Sequence, residues 1–307
     1  MIDPRQTPVV VLVFNRPELT ARLIKRLAEI QPRQLLVVAD GPRSGRKAEA
    51  EKVAAVRALF DQLPWLCEVR RNFSEVNLGC ALRVSSGITW AFQQVEEAII
   101  LEDDCLPTND FFLFCTELLA RYRNDERIGS ISGTDFTLGY PGPPESYFFS
   151  RYNLFWGWAT WRRAWAHYDH GMTAVADDRL DNILRKVFDK FRSRYYWRMI
   201  LERTYSGRIN SWGYRWVLSC WSAGMLGIQP RVNMIENAGF NESGTHTTHD
   251  VYGLSSAGSF SGPISHPEQI RRDTLRDDVI EDRVYSRSLA RRTRWLVGRL
   301  VTMVGLK

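Results

Sequence analysis

The chain has 307 residues, 44% of them apolar and 25% charged, which is enough to fill a large globular core and too apolar for a disordered chain. No apolar run reaches the roughly 18–20 residues of a membrane span, and the first residues do not build an apolar signal core, so the expectation is a cytoplasmic protein. The net charge of +6 sits at one end: residues 283–307 carry seven Lys and Arg and no acid, which leaves the remainder near −1 and argues against a nucleic-acid surface spread over the fold.

In chain order, residues 8–14 (Pro-Val-Val-Val-Leu-Val-Phe) predict a strand that ends at Asn15-Arg16-Pro17, and Leu19, Leu23, Ile24, Leu27 and Ile30 trace one face of a helix. Gln34 to Ala39 predict a second strand ending at Asp40-Gly41-Pro42, followed by a helix marked by Val53, Val56, Phe60 and Leu63. A third strand is expected over Leu66 to Arg70, then a helix through Leu82, Ile88, Phe92 and Val95. The strand Ala98 to Leu101 runs into Glu102-Asp103-Asp104, a helix follows from near Asn109 through Tyr122, and Ile128 to Ser132 end in Gly133-Thr134-Asp135. Strands alternating with helices predict the α/β class, with a mostly parallel, doubly wound sheet flanked by helices. Asn15, Asp40, Asp103 and Asp104 each fall just past a strand's carboxyl end, where open α/β sheets bind their ligands.

A continuous apolar strand that delivers three carboxylates calls for a cation. Oxygen ligands in ones and twos suit Mg²⁺ or Mn²⁺ held jointly with a substrate phosphate, which points to metal-assisted chemistry on a nucleotide or sugar phosphate. Three other readings stand beside it. A Walker B strand needs a P-loop, and Gly41-Pro42-Arg43-Ser44-Gly45-Arg46 lacks both its spacing and its lysine. A phosphotransfer aspartate and a plain cap for the following helix are the others. No Gly-x-Gly-x-x-Gly follows the first strand, which argues against a dinucleotide dehydrogenase. Five scattered cysteines without a Cys-x-x-Cys pair indicate neither a disulfide framework nor a zinc knuckle.

From Pro141 the composition changes, and residues 147–221 are crowded with Tyr and Trp. Aromatic rings with a polar edge suit sugar faces, although tryptophans in general more often serve as core. At the other end, Leu289, Leu296, Leu300 and Val304 recur at helical spacing among arginines beside Trp295. This predicts a basic C-terminal helix lying on an anionic membrane, against the plainer reading of a terminal helix packed on the domain.

Phe14-Asn15-Arg16-Pro17, Asp40-Gly41-Pro42, Asn77-Leu78-Gly79, Leu101-Glu102-Asp103-Asp104 with Phe111-Phe112 behind it, and Phe155-Trp156-Gly157-Trp158 together resemble glycosyltransferases of the GT-A fold. The likeness is greatest to the N-acetylglucosaminyltransferase I type and runs from about Val9 to His246. It implies that Asn15, Arg16 and Asp40 line a base and ribose pocket, that Asp103 faces the ribose, and that Asp104 binds the Mn²⁺ or Mg²⁺ bridging a diphosphate. It further implies Asn77, Gly79 and Arg83 near the donor, and Glu102 orienting this group or approaching the donor sugar. Trp156, Gly157, Trp158 and Trp212 then fall to the acceptor side.

An inverting transfer also needs a carboxylate to take the acceptor's proton. The related enzymes carry an acid after the tryptophan of the motif that here reads Trp212-Gly213-Tyr214-Arg215-Trp216, and glycine fills that place. Asp135 is the first substitute, with Glu202, Asp169, Glu236 and Glu242 behind it. The polar, Gly-rich stretch Asn237 to His246 makes His246 a candidate metal ligand, ahead of His249. The resulting expectation is a nucleotide-sugar-binding half over residues 1–133, an acceptor half over 134–265 and a basic tail over 266–307. The activity expected is metal-dependent, inverting transfer of a hexosyl or N-acetylhexosaminyl group from a UDP-sugar or similar donor to a glycan or lipid-linked acceptor, with cell-surface polysaccharide or lipopolysaccharide assembly as the setting. Alternatives are a nucleotidyltransferase and a catalytically inactive sugar-nucleotide-binding or scaffold protein.

Overall fold

The computed structural model describes residues 3–137, 140–141, 145–239, 256–260 and 262–286. The expected basic helix of the tail, Glu242, His246 and His249 lie outside the described residues. Strands β1 (Val9–Val13), β2 (Gln34–Ala39), β3 (Glu68–Phe73) and β4 (Glu97–Glu102) alternate with helices α1 (Pro17–Ile30), α2 (Lys47–Ala58) and α3 (Gly79–Gln94). A short β5 (Cys105–Pro107), α4 (Asn109–Arg121) and β6 (Ile128–Ser132) follow. The aromatic half contributes β7 (Tyr147–Ser150), β8 (Trp158–Trp161), α5 (Arg162–Trp165), α6 (Thr173–Ala176), α7 (Leu180–Val187), α8 (Phe191–Tyr205), α9 (Trp212–Ser222), β9 (Leu226–Pro230), β10 (Ile235–Asn237) and α10 (Thr274–Ile280).

Among the described residues the main sheet has eight strands in the order β3-β2-β1-β4-β8-β6-β9-β7. β1, β2, β3 and β4 run parallel, β8 lies antiparallel between β4 and β6, and β7 runs antiparallel to β9. The first crossovers step from β1 outward to β2 and β3, and the chain then returns to the other side of β1 as β4. The topological switch point therefore falls between β1 and β4. All five residues of β1 and the four apolar residues of β4 are buried, as expected of strands covered on both faces. Leu19, Leu23 and Leu27 form the inward stripe of α1.

The alternating elements of the first half follow the sequence expectation, with departures at α2, which ends at Ala58 before Phe60 and Leu63, and at β3. β3 starts at Glu68 rather than Leu66, because its register sets Glu68 opposite Gln34 and leaves Leu66 98% exposed. α3 lies close against β2: a Cβ on Gly87 would come within 2.3 Å of Val38, so only glycine lets helix and strand approach so nearly. A second apolar cluster, built on Tyr152, Leu184, Phe188, Trp197, Leu201 and Trp221, joins α7, α8 and α9 to the β7 side of the sheet. α10 closes over that side, where Asp277 accepts from Ser150 Oγ (2.6 Å) and pairs with Arg151 (3.5 Å) and Arg272 (3.2 Å). Arg272 also forms a parallel bridge with Phe149 of β7.

Candidate active site

The carboxyl ends of β1 and β4 open into a cleft of about 270 Å³. Phe14, Asn15 and Arg16 line it from β1, Glu102, Asp103 and Asp104 from β4, and Asp40, Arg43, Asn77, Gly79, Cys80 and Arg83 from the β2 and α3 side. Trp156, Asn237 and Gly239 close it from the second half of the chain. Cleft and acidic cluster thus coincide at the switch point, where this class of sheet binds ligands.

Arg16 is the N-cap of α1 and makes no capping bond with its side chain; it reaches across the switch point instead. Its Nε donates to Asp103 Oδ2 (3.2 Å), its Nη1 to Asp104 Oδ2 (3.0 Å), and its Nη2 to Asp103 Oδ1. Burial opposes the charge on Arg16, but Asp103 and Asp104 outweigh it and hold the guanidinium firmly protonated. Asp103 is pulled both ways: burial raises its pKa, Arg16 lowers it, and the net direction is upward. Burial, and then the charges of Asp104 and Asp103, push the Glu102 carboxyl up to about 8. Three crowded carboxyls thus face one arginine, and their raised pKa values express a crowding that a further cation would relieve by favouring the ionised forms.

β10 brings the other wall to this cluster. It pairs with β5 so that Asn237 lies opposite Cys105, and the Ala238 N–H donates to the Asp104 carbonyl (2.8 Å). Gly239 sits so close that a Cβ there would fall 2.6 Å from Asp104 Oδ2. Among the described residues no three His, Cys, Asp or Glu side chains converge as a complete cage for a metal. One carboxylate and the neighbouring Asn237 side chain, brought together by the close approach of Gly239, nevertheless fit a hard cation that takes its remaining oxygens from a bound phosphate.

Several predicted residues meet in the cleft with their polar atoms already engaged. Asp40 accepts from the backbone N–H groups of Gly41 (2.9 Å), Leu78 (2.9 Å) and Gly79 (3.0 Å) and from Asn77 Nδ2 (3.1 Å). It therefore holds the loop that starts α3, where a carboxylate also meets the positive end of the helix. Arg83 is buried and donates to the Ala39 carbonyl (3.2 Å) and to Asn72 O and Oδ1 (2.6 and 2.5 Å), so it ties the ends of β2 and β3. Asn15 donates to Glu49 (3.3 Å), which also receives the Arg43 N–H and guanidinium.

The aromatic and catalytic expectations separate in space. Trp156 is half-buried, lines the cleft and packs on Phe136 with ring centroids 5.2 Å apart. Gly157 turns the chain behind it at φ +61°, where a Cβ would meet Ile235 at 2.4 Å. Trp158 and Trp212 instead stack on each other inside the core, 5.7 Å apart and almost fully buried. Their expected contact with an acceptor gives way to packing. Of the three carboxylates expected to be catalytic, Glu102, expected to orient the acidic group or approach the donor sugar, lines the cleft. Asp135 is buried just beyond β6, where its Oδ1 accepts from the Thr137 N–H (2.7 Å) and hydroxyl (2.6 Å). Glu202 lies on the exposed face of α8 and receives Arg198 (3.3 Å). Gly213 is sealed: a Cβ would come within 2.2 Å of the Phe155 ring.

Sequence reasoning gave no role to Phe14, Arg43, Glu49 and Cys80 and missed the particular placement of Asn237 and Gly239. Only the last pair left a signal, since the Gly-rich stretch after Asn237 already read as a site loop. The Arg43 guanidinium lies 5.5 Å over the Phe14 ring at the cleft mouth.

No protein-family model matches the chain, and no curated protein matches it. Among solved structures it is similar to a mannosyltransferase from Pyrobaculum calidifontis in complex with GDP-Man and Mn²⁺. The identity is 13% over 73% of this chain and 76% of that chain, with a TM-score of 0.37. A superposition that loose assigns neither fold nor function.

Proposed function

We propose that the chain is a metal-dependent glycosyltransferase of the GT-A type, moving a sugar from a nucleotide diphosphate donor, a UDP-sugar in the first instance, to a glycan or lipid-linked acceptor. The observation that carries the proposal is the meeting of Glu102, Asp103 and Asp104 with Arg16 in one cleft at the switch point of the sheet. The setting in cell-surface polysaccharide or lipopolysaccharide assembly follows from the sequence likeness and the basic tail.

Each residue of the cleft has a task in this reading. Asp104, with Asn237 beside it, would hold the Mn²⁺ or Mg²⁺, and Gly239 lets the chain pass close to the Asp104 carboxylate. When bound, the cation supplies neutralisation of the leaving diphosphate. Arg16 keeps Asp103 oriented and offers a guanidinium edge to phosphate oxygens. Asp40 and Asn77 shape the ribose side by fixing the Asn77–Gly79 turn, and Trp156 presents a ring to the donor or acceptor sugar. For an inverting transfer Glu102 is the carboxylate in reach of the reacting groups. With its pKa raised to about 8 by burial and by Asp104 and Asp103, Glu102 holds a proton near neutrality, and acting as the base requires a nearby cation to bring it to the carboxylate form.

One observation favours a second reading, a sugar-nucleotide-binding protein without turnover: Gly213 leaves no room for an acid, and Asp135 and Glu202 do not line the cleft. Calorimetry with a panel of nucleotide diphosphate sugars, with and without Mn²⁺ and with Asp104→Asn alongside, tests both. Binding that requires metal and is lost in Asp104→Asn supports the site; binding of no sugar nucleotide overturns it. Binding without release of nucleotide diphosphate in the presence of glycan acceptors favours the second reading.

A further inference from the structure

The corner where α7 meets α8 combines charge and exposed aromatic surface. Residues 185–194 read Arg-Lys-Val-Phe-Asp-Lys-Phe-Arg-Ser-Arg, five basic residues against one acid. Phe188 turns inward and is fully buried, whereas Phe191 is 75% exposed and Tyr195, one turn on, is 57% exposed. The two rings stack with centroids 6.5 Å apart. Rings left in water in this way add little to the fold, and aromatic side chains flanked by basic ones are the composition of a surface that sits at lipid headgroup level.

The charges around the rings are largely unspent. Lys190 pairs with Asp278 (2.9 Å), but Arg185, Lys186, Arg192 and Arg194 form no ion pair among the described residues. α10 and the turn after it lie against the same helix: the Tyr285 ring is 4.7 Å from Trp197 and 6.1 Å from Tyr196. The described chain therefore ends beside α8, and the 287–307 sequence that follows holds six further Lys and Arg and no acid. Positive charge on the folded surface and positive charge in the adjoining sequence thus start from one place.

We infer that the Phe191–Tyr195 face docks on an anionic phospholipid surface, with the two rings among the headgroups and Arg185, Lys186, Arg192 and Arg194 against lipid phosphates. The inference is independent of the donor site, since none of these residues lines the cleft.

Flotation of the full chain with vesicles tests it, using phosphatidylcholine alone and phosphatidylcholine mixed with phosphatidylglycerol. The native chain is expected to float only with the anionic vesicles, and less so as salt rises. At roughly 1 kcal/mol for each basic residue near such a surface, Lys186→Glu with Arg192→Glu is expected to lower partition by at least about ten-fold. Phe191→Ala with Tyr195→Ala is expected to lower it comparably, and Phe191→Trp with Tyr195→Trp to retain it. These positions are exposed, so circular dichroism and melting temperature should stay as in the native chain. Native partition by both loss variants would overturn the inference. So would a dimer in sedimentation that the same substitutions dissociate without changing flotation, which gives the face to a second copy.

Discussion

In the cleft one guanidinium serves two carboxylates, and this arrangement makes opposite predictions for metal and for nucleotide. Asp104 Oδ2 is held by Arg16 (3.0 Å), so a cation that binds Asp104 competes with it. Arg16→Gln is expected to strengthen binding of Mn²⁺ alone several-fold. It is also expected to weaken binding of the nucleotide sugar with Mn²⁺ by about 10- to 100-fold, the worth of one or two charge-assisted hydrogen bonds. Calorimetry on the two titrations separates these effects, and unchanged Mn²⁺ affinity in Arg16→Gln would sink the competition. At this scale the acidic cluster was legible because a buried strand that ends in carboxylates has few other uses. Asp40 and Arg83 were legible only as neighbours of the site. Which partners consume their polar atoms, the Asn77–Gly79 turn for one and the Asn72 and Ala39 oxygens for the other, depends on distant segments meeting.

Helices and strands carry two further tests. Gly213 opens the second residue of α9 against the Phe155 ring. Restoring an acid there by Gly213→Asp is expected to destabilise the fold by roughly 1–3 kcal/mol through overpacking, with no gain in turnover; urea unfolding and a nucleotide-release assay check both parts. Asp277 anchors α10, and burial raises its pKa to about 6 even though Ser150, Arg151 and Arg272 pull it down. A folded-state pKa above the unfolded value means that the folded chain binds more protons between the ordinary aspartate range and about pH 6. Stability from this group is then full in acid and is lost as pH rises through that window, by at most about 1.4 kcal/mol per pH unit. Any penalty of Asp277→Asn is therefore expected to be largest near pH 4 and to shrink toward pH 7; urea midpoints that diverge the other way would refute this. The half of the chain with clean periodicity was readable as elements, whereas β7, β8 and β9 were not. Their residues, such as Trp158-Ala159-Thr160-Trp161, are buried on both sides, so they show no alternation, and their pairing partners lie far along the chain.

For the molecule as a whole, a ligand that bridges β1, β4 and β10 must stabilise all three together. With Mn²⁺ and a nucleotide diphosphate at about 100 times Kd, the gain is about 2.7 kcal/mol, which for a chain of this size raises the melting temperature by roughly 5 °C. The same additions to Asp104→Asn are expected to produce no such rise, and a thermal scan of the two proteins decides it. The α/β class and the place of the cleft were readable at this scale, because alternation dictates a parallel sheet and a parallel sheet dictates where ligands go. Shape in the aromatic half was not, since eleven tryptophans advertise sugar contact and core packing equally well until burial is known.

The two margins of the main sheet have a consequence for life in a crowded solution. An open sheet ends in unpaired N–H and C=O groups that invite a second chain to add a strand. β3 meets that hazard with Glu68, Arg70 and Arg71. β7 is met on its far side by the segment at Arg272, whose successor Asp273 donates its N–H to the Phe149 carbonyl (2.8 Å). One margin is thus guarded by charge and the other by the protein's own later chain, so loosening α10 would expose a sticky aromatic strand, and self-association would follow loss of that anchor before loss of the cleft.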